Sequence, residues 1–201
     1  MKKANLWTMQ LNSASLVLIP VAVGVNYIGA LFATMLKLPL WIDCIGTCLA
    51  ACLGGPVVGA LSGIVNNILI AATSNPISIY YTTTQAGIGF LVGYLAHKGK
   101  MDTLIGGTIT GILAGLVSIV VSTPINILLW GGMSGNFWGD AAYTFLVANG
   151  SHPWIAAFVD EAIVDIPDKL MVCIITVLLY KNMPHSLKSI YKNDEEVTSD
   201  F

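Results

Sequence analysis

The sequence of 201 residues contains no arginine, and only 10% of its residues are charged. A soluble domain usually has about 25% charged residues. Three long stretches, 4–36, 44–96 and 103–139, contain no Asp, Glu, Lys, Arg or His. Because about 20 apolar residues in a helix span the hydrocarbon core of a bilayer, these stretches predict several transmembrane helices and argue against a soluble fold.

The sequence also lacks the usual catalytic machinery. It has no Walker A motif, so we expect no ATP hydrolysis by this chain. No arginine is available to hold a phosphate, and we expect neither an enzyme nor a nucleic-acid partner, and no bound cofactor. Cys44, Cys48 and Cys52 share one helix face without a histidine at ligand spacing, so we interpret them as packing residues and predict no metal site.

Breaks in hydropathy coincide with turn residues such as "KLPLW", "GGP", "TSNP" and "HKGK". They predict an all-α membrane bundle of six transmembrane helices, in one domain, with both termini cytoplasmic. Lysines flank the predicted cytoplasmic ends, as the positive-inside rule requires. The predicted spans are about 11–36, 40–53, 57–73, 78–97, 103–130 and 154–179, with an external loop 131–153 and a cytoplasmic tail 181–201.

The sixth predicted span contains "DEAIVDIPDK", four carboxylates and a lysine within ten residues. Charges inside a bilayer are costly and usually mark a ligand path, a proton relay or a partner contact. Lys169 follows Asp165 by four residues, the favourable order for a helical ion pair, so we predict a structural pair between them. Asp160 and Glu161 lie nearer the external end and are better candidates to contact a ligand, whereas Asp168 and Lys169 are expected in the inner half.

Other polar side chains are predicted at similar depth near the external face. Each has an ordinary explanation, since Trp and Tyr favour the interface and Asn bridges helices. Their convergence on one side of the membrane instead favours a small-molecule pocket. The candidate binding residues are Asp43, Asn66, Asn67, Tyr81, Gln85, Asn126, Trp130, Asp160, Glu161 and Asp165.

Small residues recur every four positions, in Gly55–Gly59–Gly63, Gly107–Gly111–Gly115 and Gly46–Ala50–Gly54. This spacing places them on one helix face, where it lets two backbones approach closely. Two interpretations remain open: packing inside the bundle, or docking of another membrane subunit.

The segment "LPLWIDCIGTCLAACLGGPVVGALSGIVNNI" resembles the second and third helices of substrate-binding S components of energy-coupling factor (ECF) vitamin transporters. "VDIPDKLMVCIITVLLYKNMP" is similar to the last helix of several members. The matching positions are Asp43, Gly46, Thr47, Gly55, Pro56, Gly59, Ala60, Gly63 and Asn66.

The resemblance implies a multi-pass protein of a prokaryotic cell membrane that captures a vitamin or vitamin precursor from outside. It implies docking on a transmembrane coupling subunit and two ABC ATPases, which use ATP to drive import. In this family the first three helices meet the coupling subunit through small residues. The corresponding candidates are Ala22, Gly29, Ala33, Gly46, Ala50, Gly59 and Gly63, although the Ala-x-x-x-Ala docking signature common in the first helix is not present.

Two other functions remain open. A secondary transporter would use Asp160, Glu161 and Asp165 to couple uptake to protons. A membrane sensor domain would need an output domain. The acidic residues and the absence of arginine argue for a neutral or cationic ligand over a polyanion.

Overall fold

A computed structural model describes residues 13–192, and over that range the regular structure is helical, with no strand. The predicted all-α class is therefore confirmed for the described chain. Its helices are α1 Ser13–Met35, α2 Ile45–Thr73, α3 Thr82–His97, α4 Leu104–Trp130, α5 Phe137–Ala148, α6 Pro153–Asn182 and α7 His185–Lys192, with 3₁₀ helices at Pro76–Tyr81 and Lys100–Asp102.

Within the described residues, three helices are both long and apolar enough to cross a membrane: Leu16–Met35 in α1, all of α2, and α4. This is compatible with a membrane protein. The 30-residue α6 is equally long, but it contains the five charged residues of the "DEAIVDIPDK" segment.

Local side chains set where several helices begin. Thr103 accepts a hydrogen bond from the Gly106 amide at the start of α4, and Asn136 accepts one from the Trp138 amide at the start of α5. Such caps satisfy amide groups that have no partner within the helix. At the far end of α4, Gly131 takes a left-handed conformation (φ 72°), which glycine adopts without a steric penalty.

Helix α2 reverses direction at Gly55, whose φ of 85° and ψ of −179° are non-helical. In a straight helix, residues 43 and 66 would lie about 35 Å apart, yet the Asn66 side-chain nitrogen lies 3.4 Å from the Asp43 carbonyl oxygen. A β-carbon added to Gly59 would likewise lie 2.5 Å from the Ala51 β-carbon. The limbs 45–54 and 56–73 therefore pack side by side.

The most extensive helix contacts join α2 to α1 and α3, α4 to α6, and α5 to α6. A buried core of small and branched side chains joins α2, α3, α4 and α6. It includes Cys44, Cys48 and Cys173, which lie in van der Waals packing among Val and Ala side chains. A second cluster joins α1 to both limbs of α2.

Several helix limits differ from the predicted spans. Residues 36–44, named here the α1–α2 connection, are not helical, so the helix expected over 40–53 begins only at Ile45. The predicted external loop 131–153 contains the 12-residue helix α5, and the predicted tail contains α7. The N-terminal lysines and residues 193–201 lie outside the described chain.

The small residues predicted to dock a partner are used inside the chain, which corrects that assignment. Ala22, Ala33 and Ala50 are at most 3% exposed. Gly46, Gly59 and Gly63 are buried, and Gly29 is half-buried. A β-carbon at Gly46 would overlap the Ala22 carbonyl oxygen, and one at Gly29 would overlap the Ile42 carbonyl oxygen. These positions allow backbones of the same chain to touch.

We predict that Gly46→Ala destabilises the isolated protein. The added methyl group meets backbone atoms that cannot rotate away, so overpacking should cost about 1–3 kcal/mol. The measurement is the thermal unfolding temperature of the purified protein in detergent.

The matched control is Gly24→Ala on α1, where an added β-carbon meets nothing within 4 Å. Its unfolding temperature should equal or exceed that of the parent, since alanine favours helix. If Gly46→Ala proves as stable as Gly24→Ala, the internal packing role of this glycine is contradicted.

Candidate functional site

The buried Asp168 carboxylate joins α6 to the α1–α2 connection. Its Oδ1 atom accepts hydrogen bonds from the backbone amides of Trp41 (3.1 Å) and Ile42 (2.9 Å). Its Oδ2 atom accepts a hydrogen bond from the Lys169 ammonium at 2.6 Å. A non-helical segment in an apolar environment needs such partners for its amide groups.

The Lys169 ammonium lies among three carboxylates. Besides Asp168, it lies 3.5 Å from Asp165 Oδ1 and 3.5 Å from Asp43 Oδ1. The ion pair predicted from helical spacing is thus present, as one contact of a four-residue cluster. Asp43 was expected near the external face and Lys169 in the inner half of the membrane. The two side chains are instead in contact, because the α1–α2 connection reaches the middle of α6.

Asp43 also connects the cluster to α2 and α3. Gln85 donates a hydrogen bond to Asp43 Oδ2 at 2.8 Å. Asn66 donates to the Asp43 carbonyl and to the Asn67 side-chain oxygen, each at 3.4 Å. Three of the predicted polar side chains therefore meet Asp43 in a single network.

A second chain of hydrogen bonds joins Tyr81, Asn126 and Glu161. The Tyr81 hydroxyl donates to Asn126 Oδ1, and Asn126 Nδ2 donates to Glu161 Oε1. Asn126 is fully buried and Glu161 is 3% exposed. The side-chain oxygen and nitrogen of Asn126 each have one partner, so Asn126 fixes the positions of both Tyr81 and Glu161.

These networks border one cavity of about 250 Å³. Six of the ten candidate binding residues line it: Asp43, Asn67, Tyr81, Gln85, Glu161 and Asp165. Lys169, predicted only as a structural partner of Asp165, lines it as well. The wall is built from α1, the α1–α2 connection, α2, the first 3₁₀ helix, α3, α4 and α6.

The other four candidates are not part of the cavity lining. Asn66 and Asn126 support lining residues through the hydrogen bonds described above. Asp160 is fully buried and accepts hydrogen bonds from the Ser134 amide and hydroxyl, at 3.2 and 2.6 Å. Trp130 packs edge-on against Tyr80, with ring centroids 5.9 Å apart. Asp160 therefore holds the loop between α4 and α5, and Trp130 packs the end of α4 against the first 3₁₀ helix.

Sequence reasoning missed several residues of the site. Tyr27, Ser118 and Ser122 line the cavity, and the four-residue spacing of the two serines on α4 was an available signal. Asn26 lies behind the wall, where its side chain donates to Thr47 Oγ1 (2.8 Å) and accepts from the Gly46 amide (2.7 Å). No spacing rule connects Asn26 to those partners.

Three side chains of types that can bind metals lie close together beside the cavity. Asp43, Cys44 and Asp168 each offer one possible ligand atom, and these three atoms lie within 4.8 Å of one another. The Lys169 ammonium already contacts both carboxylates, so a positive charge is supplied there by the chain itself.

Comparison with protein-family models, with curated proteins and with solved structures gave no match for this chain.

We predict that Lys169→Met strongly destabilises the protein. The substitution leaves Asp43, Asp165 and Asp168 without their shared cation, and breaking a buried pair in this way costs about 3–5 kcal/mol. Adding Asp165→Asn should recover part of the loss, because one uncompensated charge is removed.

The measurement is again thermal unfolding in detergent, with Lys98→Met as the control. Lys98 is exposed and stacks over the Tyr94 ring at 4.3 Å, so its removal should change little. Equal unfolding temperatures for the two lysine variants would contradict the structural role of the Lys169 cluster.

Proposed function

We propose that the chain is the substrate-binding subunit of an ECF-type importer, which binds a vitamin or vitamin precursor for delivery across a prokaryotic cell membrane. The observation that carries this proposal is the cavity of about 250 Å³, bordered by polar side chains from most helices of a largely apolar chain. Polar and charged groups inside membrane helices are costly, and they usually mark a functional site.

The sequence resemblance supports the same function. One of the nine positions that resemble S components lines the cavity, and others contact its lining residues. Asp43 lines it, Asn66 donates a hydrogen bond to Asp43, and Gly63 lies against the side chain of Gln85.

The proposal includes a topology of six membrane-embedded helical segments, with the ends of the described chain on the cytoplasmic side. Both limbs of α2, together with α1, α3, α4 and α6, make up the six. The limb 45–54 has a length of about 15 Å, half the thickness of the hydrocarbon core. The α1–α2 connection would complete the crossing, with its amides satisfied by Asp168.

In this scheme the chain captures its ligand from the external side and a transmembrane coupling subunit, with two ABC ATPases, drives the release inward. The ATP is used by the partners. Binding and energy supply are then separate, which agrees with the absence of a Walker A motif from the sequence.

A proton-coupled secondary transporter is the second candidate function. The observation in its favour is that Glu161 and Asp165, one turn apart on α6, both line the cavity. Uptake by the purified chain alone in liposomes, driven by a proton gradient, would favour this alternative. Uptake that strictly requires the coupling subunit and both ATPases would favour the importer.

We predict that a small molecule co-purifies with the protein and that Glu161→Ala and Asn126→Ala each lower its occupancy. Loss of a hydrogen bond involving a charged group costs about 1.5–3 kcal/mol, so binding should weaken by at least about tenfold. Native mass spectrometry of the gently solubilised protein measures the occupancy.

Lys188→Ala is the control, since the Lys188 ammonium lies over the Tyr180 ring at 4.7 Å and is not part of the cavity wall. Occupancy should be unchanged in this variant. Equal losses at all three positions, or a protein that carries no small molecule, would count against the proposed function.

A further inference from the structure

We propose that the cavity binds a small organic cation, either an amine or a protonated nitrogen heterocycle. This inference rests on the proposed small-molecule role of the cavity and names the chemical class of its ligand. Three features support it: the balance of charge in the cavity wall, a lining acceptor without a hydrogen bond, and the aromatic rings of the wall.

The charge balance of the wall is negative. Among the described lining residues, Asp43, Glu161 and Asp165 carry carboxylates and Lys169 carries the one ammonium group. That ammonium is shared by Asp43, Asp165 and the buried Asp168. Buried charges without counter-charges are costly in an apolar environment, so a ligand that brings a positive charge would be stabilised here.

Within the described residues Glu161 forms no ion pair, unlike Asp43 and Asp165. Its hydrogen-bond donor in the described structure is the neutral amide of Asn126, and Lys169 forms its ion pairs with the three aspartates. Glu161 and Asp165 lie on one face of α6, four residues apart. A cationic nitrogen between them would meet two carboxylates at once.

One hydrogen-bond acceptor of the cavity wall also lacks a hydrogen bond. Within the described part of the chain, Asp43 Oδ1 accepts no hydrogen bond, and the Lys169 ammonium lies 3.5 Å from it. Asn66 Oδ1, behind the wall, is likewise a buried acceptor without a hydrogen-bond partner in the described residues. Buried acceptors without donors are rare in native proteins, and a ligand rich in N–H groups would supply a donor to Asp43.

Aromatic rings and size narrow the class further. Tyr27, Trp41 and Tyr81 belong to the same wall, and aromatic faces attract organic cations, Trp most strongly. The cavity of about 250 Å³ lies just below the range of about 300–1,000 Å³ typical of ligand pockets. A compound with one or two rings is therefore favoured.

Phosphorylated and other polyanionic ligands do not fit this wall. The sequence contains no arginine, and the one lysine in the lining is already paired with three aspartates. An added anion would lie beside carboxylates without a free cation to hold it.

The test uses three ring compounds of the same size that differ in one substituent: 3-(aminomethyl)pyridine, which is cationic at neutral pH, the neutral 3-pyridinemethanol, and the anion nicotinate. Binding to the full-length protein in lipid nanodiscs is measured by isothermal titration calorimetry. We expect the amine to bind at least about tenfold more tightly than the alcohol, equivalent to about 1.4 kcal/mol, and nicotinate to bind most weakly.

The variant Glu161→Gln with Asp165→Asn should abolish the preference for the amine while it retains binding of the alcohol, which also shows that the variant is folded. Asp102→Asn, at an exposed position in the second 3₁₀ helix, is the control and should retain the full preference.

A protein that binds the alcohol or nicotinate as tightly as the amine would overturn the cation inference but leave the cavity as a binding site. An amine preference that persists in the double variant would overturn the cation inference in the same way. Failure of all three compounds to bind would also overturn the cation inference, whereas the proposed function would be contradicted by a protein that carries no co-purified small molecule.

Discussion

The shared ion cluster of Lys169 is the contact on which the rest of the site depends. One ammonium group, 3% exposed, holds Asp165 and Asp168 of its own helix and Asp43 of the α1–α2 connection. Because these groups are shielded from solvent, each charge requires a partner inside the protein. The cluster therefore fixes the connection against α6 and directs Asp43 and Asp165 to a common wall.

The backbone conformation of the connection depends on the same contacts. Ile42 has a φ of 53°, a left-handed value that is unusual for a β-branched residue. Its amide donates to Asp168, and its carbonyl oxygen packs against Gly29 of α1, where a β-carbon would overlap it. Such a conformation costs about 1–3 kcal/mol and persists only where the surroundings determine it. The strained residue directly precedes Asp43 of the cavity wall.

Glycine and alanine residues let the helices approach closely enough for polar side chains to contact one another. Gly46 brings α2 against the backbone of α1, and Gly111 brings α4 close to the backbone of α6 at Lys169 and Leu170. Short side chains such as Asn26 and Asn126 then reach across to the next helix. The small residues thus act on the site indirectly, by setting the distance between the helices that carry it.

The sequence was sufficient to predict the helical class, three long apolar helices and the pairing of Asp165 with Lys169, because these follow from the composition and spacing of single segments. It was insufficient for contacts between helices, since no spacing rule relates Asp43 to residue 169 or Asn26 to Thr47. Helix α5 was missed because the whole segment 131–153 was interpreted as one polar external loop. Its cap, Asn136, was the local signal. The small-residue stripes predicted close packing correctly, but spacing alone does not distinguish a partner backbone from one in the same chain.

The most direct test of a ligand site built around the Lys169 cluster is an experimental density map of the full-length protein in lipid nanodiscs, purified without added ligand. We predict density for one small molecule enclosed between Trp41, Gln85, Glu161 and Asp165, with Lys169 in contact with its three aspartates. A cavity closed by the chain's own side chains, or occupied by a lipid acyl chain, would contradict this claim.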